Sequence, residues 1–351
     1  MRTFQYVKIE PGSPHEMGIQ YGRQARGKIL AGLEDYRQLF AETCDMPWSE
    51  ILAYAATFIP LVEEALPEIM QEVRGIAAGA EVGIHDLMVL NCRYEITKFP
   101  RPSECTSFAL LPEAAKDGKT FVGQDWDYRA GILDNVVVVH FLQPDGTRIL
   151  GLAEAGQVIR NGFNSHGIGL CANNLQSIHD RRGTGIPVTF LRRKVLSSRT
   201  FDEARRLVEN ENDRRDVSCN MMLASAEGRA LDLETYPGGT DFIRPVDGIL
   251  THANHFEVNP KNEALETSPR GERLRRLLEE KKGEIDVPHI IRCLSDHENY
   301  PKAICRHPSD VSLRLGRRGI TVAGAIYDLA GGTARICAGP PCEGEFVEYT
   351  L

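Results

Sequence analysis

The feature that most constrains this chain is a change of period near residue 100. Before it, apolar residues recur at helical spacing. After it, short apolar runs alternate with turn residues. Residues 14–97 read as helical. Ser49 is a candidate N-cap for a stretch running to Val62, and a helix over Leu61–Ala78 would end at Gly79. A short helix is expected after His85-Asp86. From Thr106 onward the pattern is strand and turn, with Asp117-Gly118, Asp145-Gly146 and Glu227-Gly228 as hairpin turns. Strands are expected at Ser107–Leu111, Val136–Leu142, Arg148–Leu152, Gly167–Cys171, Cys219–Ala224 and Ala230–Glu234. Two helices intervene at Pro187–Leu196 and after the capping box Thr200-Phe201-Asp202-Glu203. Helices at 269–282 and 286–295 and strands at 319–327, 333–338 and 345–350 close the chain. This order predicts an α+β fold with layered sheets in one folded unit.

Composition narrows the function classes. Lys plus Arg number 41 against 49 Asp plus Glu, a formal charge of −8, so nucleic acid is not an expected partner. Met1-Arg2-Thr3-Phe4-Gln5-Tyr6 lacks an apolar signal core, and no apolar run reaches membrane-spanning length; a cytoplasmic protein with no membrane partner is the expectation. The nine cysteines include no Cys-x-x-Cys pair, which argues against a zinc ribbon and against a secreted disulfide framework.

Common motifs fail on single positions. The tail Gly118-Lys119-Thr120 would need glycine at 113 to be a phosphate loop, and 113 is Glu. Gly167-x-Gly169 is followed at 172 by Ala, so it is no dinucleotide fingerprint. Phe163-Asn164-Ser165-His166-Gly167 lacks the first glycine of a nucleophile elbow. His252 and His255 lie three apart at a strand end with no third ligand nearby in sequence, so no metal is expected there.

Chemistry concentrates where helix gives way to sheet, at Glu104-Cys105-Thr106-Ser107. If the 104–105 bond were cut, Cys105 would carry a free α-amine of pKa about 8, able to serve as base for its own thiol. A turn at Asp117-Gly118 would return Gly123-Gln124-Asp125-Trp126-Asp127 beside it, where a carboxylate can hold the ammonium or thiol. Asn173-Asn174 and Asn254 are candidate donors to an oxyanion.

Seven blocks then carry a resemblance. They are Pro14-His15-Glu16-Met17-Gly18-Ile19-Gln20-Tyr21-Gly22; Glu72-Val73-Arg74-Gly75-Ile76-Ala77-Ala78-Gly79-Ala80; Cys105-Thr106-Ser107; Gly123-Gln124-Asp125-Trp126-Asp127; Gly162-Phe163-Asn164-Ser165-x-Gly167 with Asn173 following; His252-Ala253-Asn254-His255; and Asn299-Tyr300-Pro301 with Ile304-Cys305-Arg306. In this order they resemble the acyl-coenzyme A:6-aminopenicillanic-acid acyltransferase family, peptidase family C45, of the N-terminal-nucleophile hydrolases. The resemblance implies a four-layer αββα sandwich of two antiparallel sheets. It implies self-cleavage between Glu104 and Cys105, with residues 1–104 and 105–351 staying associated, and no cofactor. It implies Cys105 as nucleophile, Asp127 as its support, Asn254 as oxyanion donor with Asn173 a second candidate, and Arg306 near the site. Asp125, Trp126 and Thr106 would border the substrate, a small linear amide, with water, an amine or an acyl-CoA as the other reactant. A homo-oligomer is compatible with this reading. Two departures stand out: Asp125 where the family block has Asn, and Glu104 where the penicillin acyltransferase has Gly. An uncleaved, catalytically silent binding protein is the alternative.

Overall fold

The computed structural model describes every residue except 1, 45, 98–104, 184, 265–266 and 309–318. Strand β1 (Gln5–Ile9) precedes six helices: α1 (Pro14–Thr43), α2 (Trp48–Ala56), α3 (Ile59–Ala65), α4 (Pro67–Ala80), α5 (Ile84–Asn91) and α6 (Arg93–Ile96). Six strands follow: β2 (Thr106–Leu110), β3 (Phe121–Arg129), β4 (Val136–Leu142), β5 (Arg148–Glu154), β6 (Asn161–Asn164) and β7 (Ile168–Cys171). Then come α7 (Val188–Val195), α8 (Phe201–Glu209), β8 (Cys219–Ser225), β9 (Arg229–Tyr236), β10 (Gly239–Ile243) and β11 (Ile249–His252). The chain closes with α9 (Arg270–Glu279), α10 (Val287–Leu294), β12 (Gly319–Asp328), β13 (Thr333–Ala338) and β14 (Phe346–Thr350).

The strands form two sheets. One has eight strands in the order β1-β4-β5-β6-β7-β8-β9-β10, the other six in the order β11-β2-β3-β12-β13-β14. Only β1 against β4 is parallel among the pairs described. Three apolar clusters separate four layers. One lies between α1–α8 and the outer face of the large sheet, one between the sheets, and one between the small sheet and α9–α10. This is the expected αββα order.

Several local expectations shift. The second helix begins at Trp48 with Pro47 as its cap, so Ser49 lies inside it. The helix read over Leu61–Ala78 breaks at Leu66, because Pro67 cannot supply an N–H to continue it and starts α4 instead. Gly79 does not end α4; the turn is made at Glu81, in the left-handed region at φ 57°. Gly79 belongs to a close crossing of α1 and α4. A methyl group at Gly75 would sit 2.1 Å from the His15 carbonyl oxygen, and one at Gly18 2.1 Å from that of Glu72. Two of the seven blocks are therefore the two halves of one backbone-to-backbone contact. At the Thr200 cap, Glu203 reaches back to the amide of Arg199 at 2.8 Å, one residue outside the cap.

Candidate active site

Cys105 immediately precedes β2, which lies inside the small sheet between β11 and β3. Its side chain joins the cluster between the two sheets. The Asp117-Gly118 turn forms as expected, with Gly118 at φ 66°. It brings β3 back so that Thr106 pairs with Asp125 and Ser107 with Gln124. The Cys105 Sγ then lies 3.7 Å from the Asp127 carbonyl oxygen, to which it donates. Burial, helped by the charge of Asp127, pushes the thiol up to about 11. At neutral pH this sulfur keeps its proton unless a base takes it.

Strand alternation gives β3 two chemically different faces. Val122, Trp126 and Tyr128 face the large sheet within the inter-sheet cluster. Gln124 shares that face and links the sheets: it donates to the Asn173 Oδ1 and the Ala172 carbonyl, both at 2.8 Å, and accepts from Asn161 Nδ2 at 2.6 Å. Asp125 and Asp127 point the other way, toward the layer of α9 and α10. A β-bulge in β12 between Thr321 and Ala323 changes the register beside Asp127. Thr321 pairs with Asp127 there and donates its hydroxyl to Asp127 Oδ1 at 2.6 Å.

Asn254 follows β11, two residues beyond the last pair, His252 with Ser107. Its Nδ2 donates to the Asn174 carbonyl at 2.7 Å, and its Oδ1 accepts from Arg270 Nη2 at 2.9 Å. The Nη1 of Arg270 lies 3.8 Å from Asp127 Oδ2, in a fully buried pair. Arg270, at the start of α9, thus ties Asn254 to Asp127. Arg270 was not among the residues singled out in the sequence, because it is 143 positions from Asp127 and no spacing along the chain pairs the two. Arg306, the arginine singled out in sequence, reaches Asp127 through Thr321: its amide donates to Thr321 Oγ1 at 2.8 Å, and its carbonyl accepts from the Thr321 amide at 3.1 Å.

Asn173 has a different setting from Asn254. Its Nδ2 faces Ser107 Oγ at 2.9 Å and the carbonyls of His252 and Ala253 at 3.1 and 3.0 Å. Three acceptors surround an amide with two hydrogens, so its donors are engaged in fastening the sheets. His252 is no metal ligand here. Both ring nitrogens are committed, to the Ala253 carbonyl and to Glu234 Oε1, each at 2.9 Å. Burial lowers its pKa, but Asp232 and Glu234 outweigh that and raise it to about 9. The ring of His252, the last residue of β11, therefore fixes the strand end that leads to Asn254.

The inter-sheet space behind Cys105 is strongly cationic. Arg160 lies over the Trp126 ring at 4.1 Å and donates to the Tyr94 hydroxyl at 2.9 Å. Arg192 donates to Asn161 Oδ1 and the Ala172 carbonyl, both at 3.0 Å. Neither guanidinium has a carboxylate partner among the described residues. Burial would raise the Tyr94 phenol, but Arg93, Arg160 and Arg192 bring it below its ordinary value. Thr106 is buried, and Glu104 lies outside the described residues. Among the described residues, no helix is long and apolar enough to cross a membrane.

The fold is thus a four-layer sandwich in which a cysteine heads an inner strand of the small sheet, beside a chain of Asn254, Arg270 and Asp127. Residues 114–343 match the family described as acyl-coenzyme A:6-aminopenicillanic acid acyl-transferase, and the chain belongs to that family. It is 27% identical over 348 residues to the 40 kDa form of acyl-coenzyme A:6-aminopenicillanic-acid-acyltransferase of Emericella nidulans, covering 94% of this chain and 91% of that protein. Among solved structures, a variant of conjugated bile acid hydrolase from Clostridium perfringens overlaps with a TM-score of 0.46 at 14% identity, over 70% of this chain and 97% of that one. Penicillin V acylase from Agrobacterium tumefaciens overlaps with a TM-score of 0.47 at 12% identity, over 67% and 83%.

Proposed function

We propose that this chain is a self-processing cysteine acyltransferase or amidohydrolase of linear amides, with Cys105 as its nucleophile. The observation that carries the reading is the place of Cys105. It is buried at the head of β2, with no histidine among the described residues bonded to its sulfur and with its thiol held protonated by burial and by Asp127. A thiol so placed needs a local base, and an α-amine created at its own residue is such a base.

In the first reaction the Cys105 Sγ attacks the Glu104 carbonyl carbon, and the thiol proton passes to the departing amide nitrogen. This leaves a thioester and a free α-amine. Water then hydrolyses the thioester, giving the Glu104 carboxylate and restoring the thiol. In each later turnover the α-amine takes the thiol proton and the thiolate attacks the substrate carbonyl. Asn254 spends one Nδ2 hydrogen on Asn174, which leaves the other for the developing oxyanion. The α-ammonium protonates the leaving amine, and water or an amine acceptor takes the acyl group. Asp127, held by Thr321 and Arg270, positions the ammonium.

The fragments 1–104 and 105–351 would stay together, because β1 pairs along its whole length with β4 and α1–α6 cover the large sheet. The buried guanidiniums of Arg160 and Arg192 favour a substrate carrying a negative charge near the scissile amide. The test is intact mass spectrometry of the wild type beside Cys105→Ala. The expected result is two fragments meeting between Glu104 and Cys105 in the wild type and one whole chain in the variant. A wild type that stays whole and hydrolyses no amide would favour the silent binding protein.

A further inference from the structure

A second cluster of reactive side chains lies outside the acyl-transfer site. His297 follows α10, Cys305 and His307 flank Arg306, and Cys342 sits in the connection between β13 and β14. One nitrogen or sulfur from each converges on a common point, all within 4.8 Å of one another. The two sulfurs are 3.6 Å apart. The Nε2 of His307 lies 3.1 Å from the Nε2 of His297, 3.1 Å from the Cys342 sulfur and 3.8 Å from the Cys305 sulfur.

We propose that His297, Cys305, His307 and Cys342 form a tetrahedral site for a divalent transition metal, with zinc as the ion the donor set fits. With Zn–S of about 2.3 Å and Zn–N of about 2.0–2.1 Å, a tetrahedron has edges of roughly 3.3–3.8 Å, close to the four separations above. Two sulfurs and two imidazole nitrogens are also the donor set that selects tetrahedral zinc. Two further observations point to a cation. The other ring nitrogen of His307 faces the Glu343 carboxylate at 3.3 Å, the arrangement that orients a metal-bound imidazole. Near the cluster, close enough for its charge to bear on Cys305 and Cys342, Asp125 is fully buried, and neither of its carboxylate oxygens has a hydrogen-bond partner among the described residues. On binding, both thiols release their protons to solvent, and two thiolates balance the charge of the ion.

The site would clamp the segment 297–307 to the β13–β14 connection. That segment carries Arg306, whose backbone holds Thr321 and, through it, Asp127. The proposal does not depend on the chemistry assigned to Cys105.

The experiment measures zinc in the full chain purified without chelator and repeats the measurement after exchange for Co²⁺. Variants Cys342→Ser, His307→Ala, Glu343→Gln and Cys337→Ser are compared with the wild type. Cys342 is exposed, so its serine variant folds, and circular dichroism checks this. One zinc per chain and an intense tetrahedral Co²⁺ spectrum with a thiolate charge-transfer band are expected. Both are lost in Cys342→Ser and His307→Ala and kept in Cys337→Ser, while Glu343→Gln weakens zinc about tenfold. Substoichiometric zinc, zinc unaffected by Cys342→Ser and His307→Ala, or a Cys305–Cys342 disulfide in protein purified under reducing conditions would each overturn the assignment.

Discussion

The outer helical layer and the space between the sheets bury charge in opposite ways. Outside the large sheet, buried charges are matched. Arg193 on α7 meets Glu72 on α4 at 2.9 Å, and Arg93 on α6 meets Glu154 on β5 at 2.6 Å, all four side chains being almost fully enclosed. Between the sheets, Arg160 and, reaching in from α7, Arg192 are enclosed without a carboxylate bonded to them among the described residues; on the other face of the small sheet Asp125 is enclosed without a hydrogen-bond partner there, and burial holds its carboxyl well above the usual carboxylate range. A buried ion is costly, so an unmatched one persists where something outside the chain completes it. The matched pairs hold helices to sheet; the unmatched groups mark where a substrate or a cation is expected.

The sharpest way to break this comparison is to remove one partner on each side. Arg193→Met strands Glu72 and is expected to cost about 3–5 kcal/mol of stability in urea unfolding. A cost below about 1 kcal/mol would remove the distinction between the two layers. Asp127→Asn is expected to keep the fold, at a stability cost because it strands the buried Arg270, and to lower kcat/KM about 100-fold, because it loosens the hold on the amine of the proposed nucleophile. A stability loss without a rate loss would make Asp127 part of the scaffold alone.

A smaller effect comes from pH. The folded His252 keeps its proton to about 9, whereas the free imidazole loses it near 6.5. Its contribution to stability is therefore fully present below about 6.5 and is lost as pH rises toward 9. Burial raises the folded Asp232 as well, which also makes stability fall with rising pH, over a lower range. The wild type is expected to lose about 2 kcal/mol between pH 6.5 and 9, and His252→Gln should flatten that slope in a series of melts. An unchanged slope would mean that His252 is neutral in the fold. The smallest stability change is expected for Arg160→Met, within about 1 kcal/mol of wild type, because no paired carboxylate is stranded. Its effect should fall on KM for an anionic amide; a large stability loss would place Arg160 among the matched charges.

Much of the layering was legible from period and turn chemistry. The Asp117-Gly118 and Asp145-Gly146 turns form where expected, and Val136–Leu142 is β4 to the residue, because these signals are local. Strand β1 escaped notice, since its five residues gain their meaning only from β4, more than 120 positions away. For the candidate site, Cys105, Asp127 and Asn254 were readable as residue types beside a period change and within recognisable blocks. Arg270, Thr321 and the Arg160–Trp126 contact were not, because each depends on pairings between distant elements or on a bulge that turns one side chain.

The sequence by itself determined the order of helices and strands, the turns, the place of Cys105 at the head of a strand and the family to which the chain belongs, because side-chain period and motif order are properties of neighbouring residues. Only the tertiary structure decided which amide is fully engaged, which arginine ties Asn254 to Asp127, and that His297, Cys305, His307 and Cys342 meet at one point. The reason is geometric: two separate segments, 297–307 and the β13–β14 connection, supply those four donors, and no spacing along the chain encodes how they approach in space.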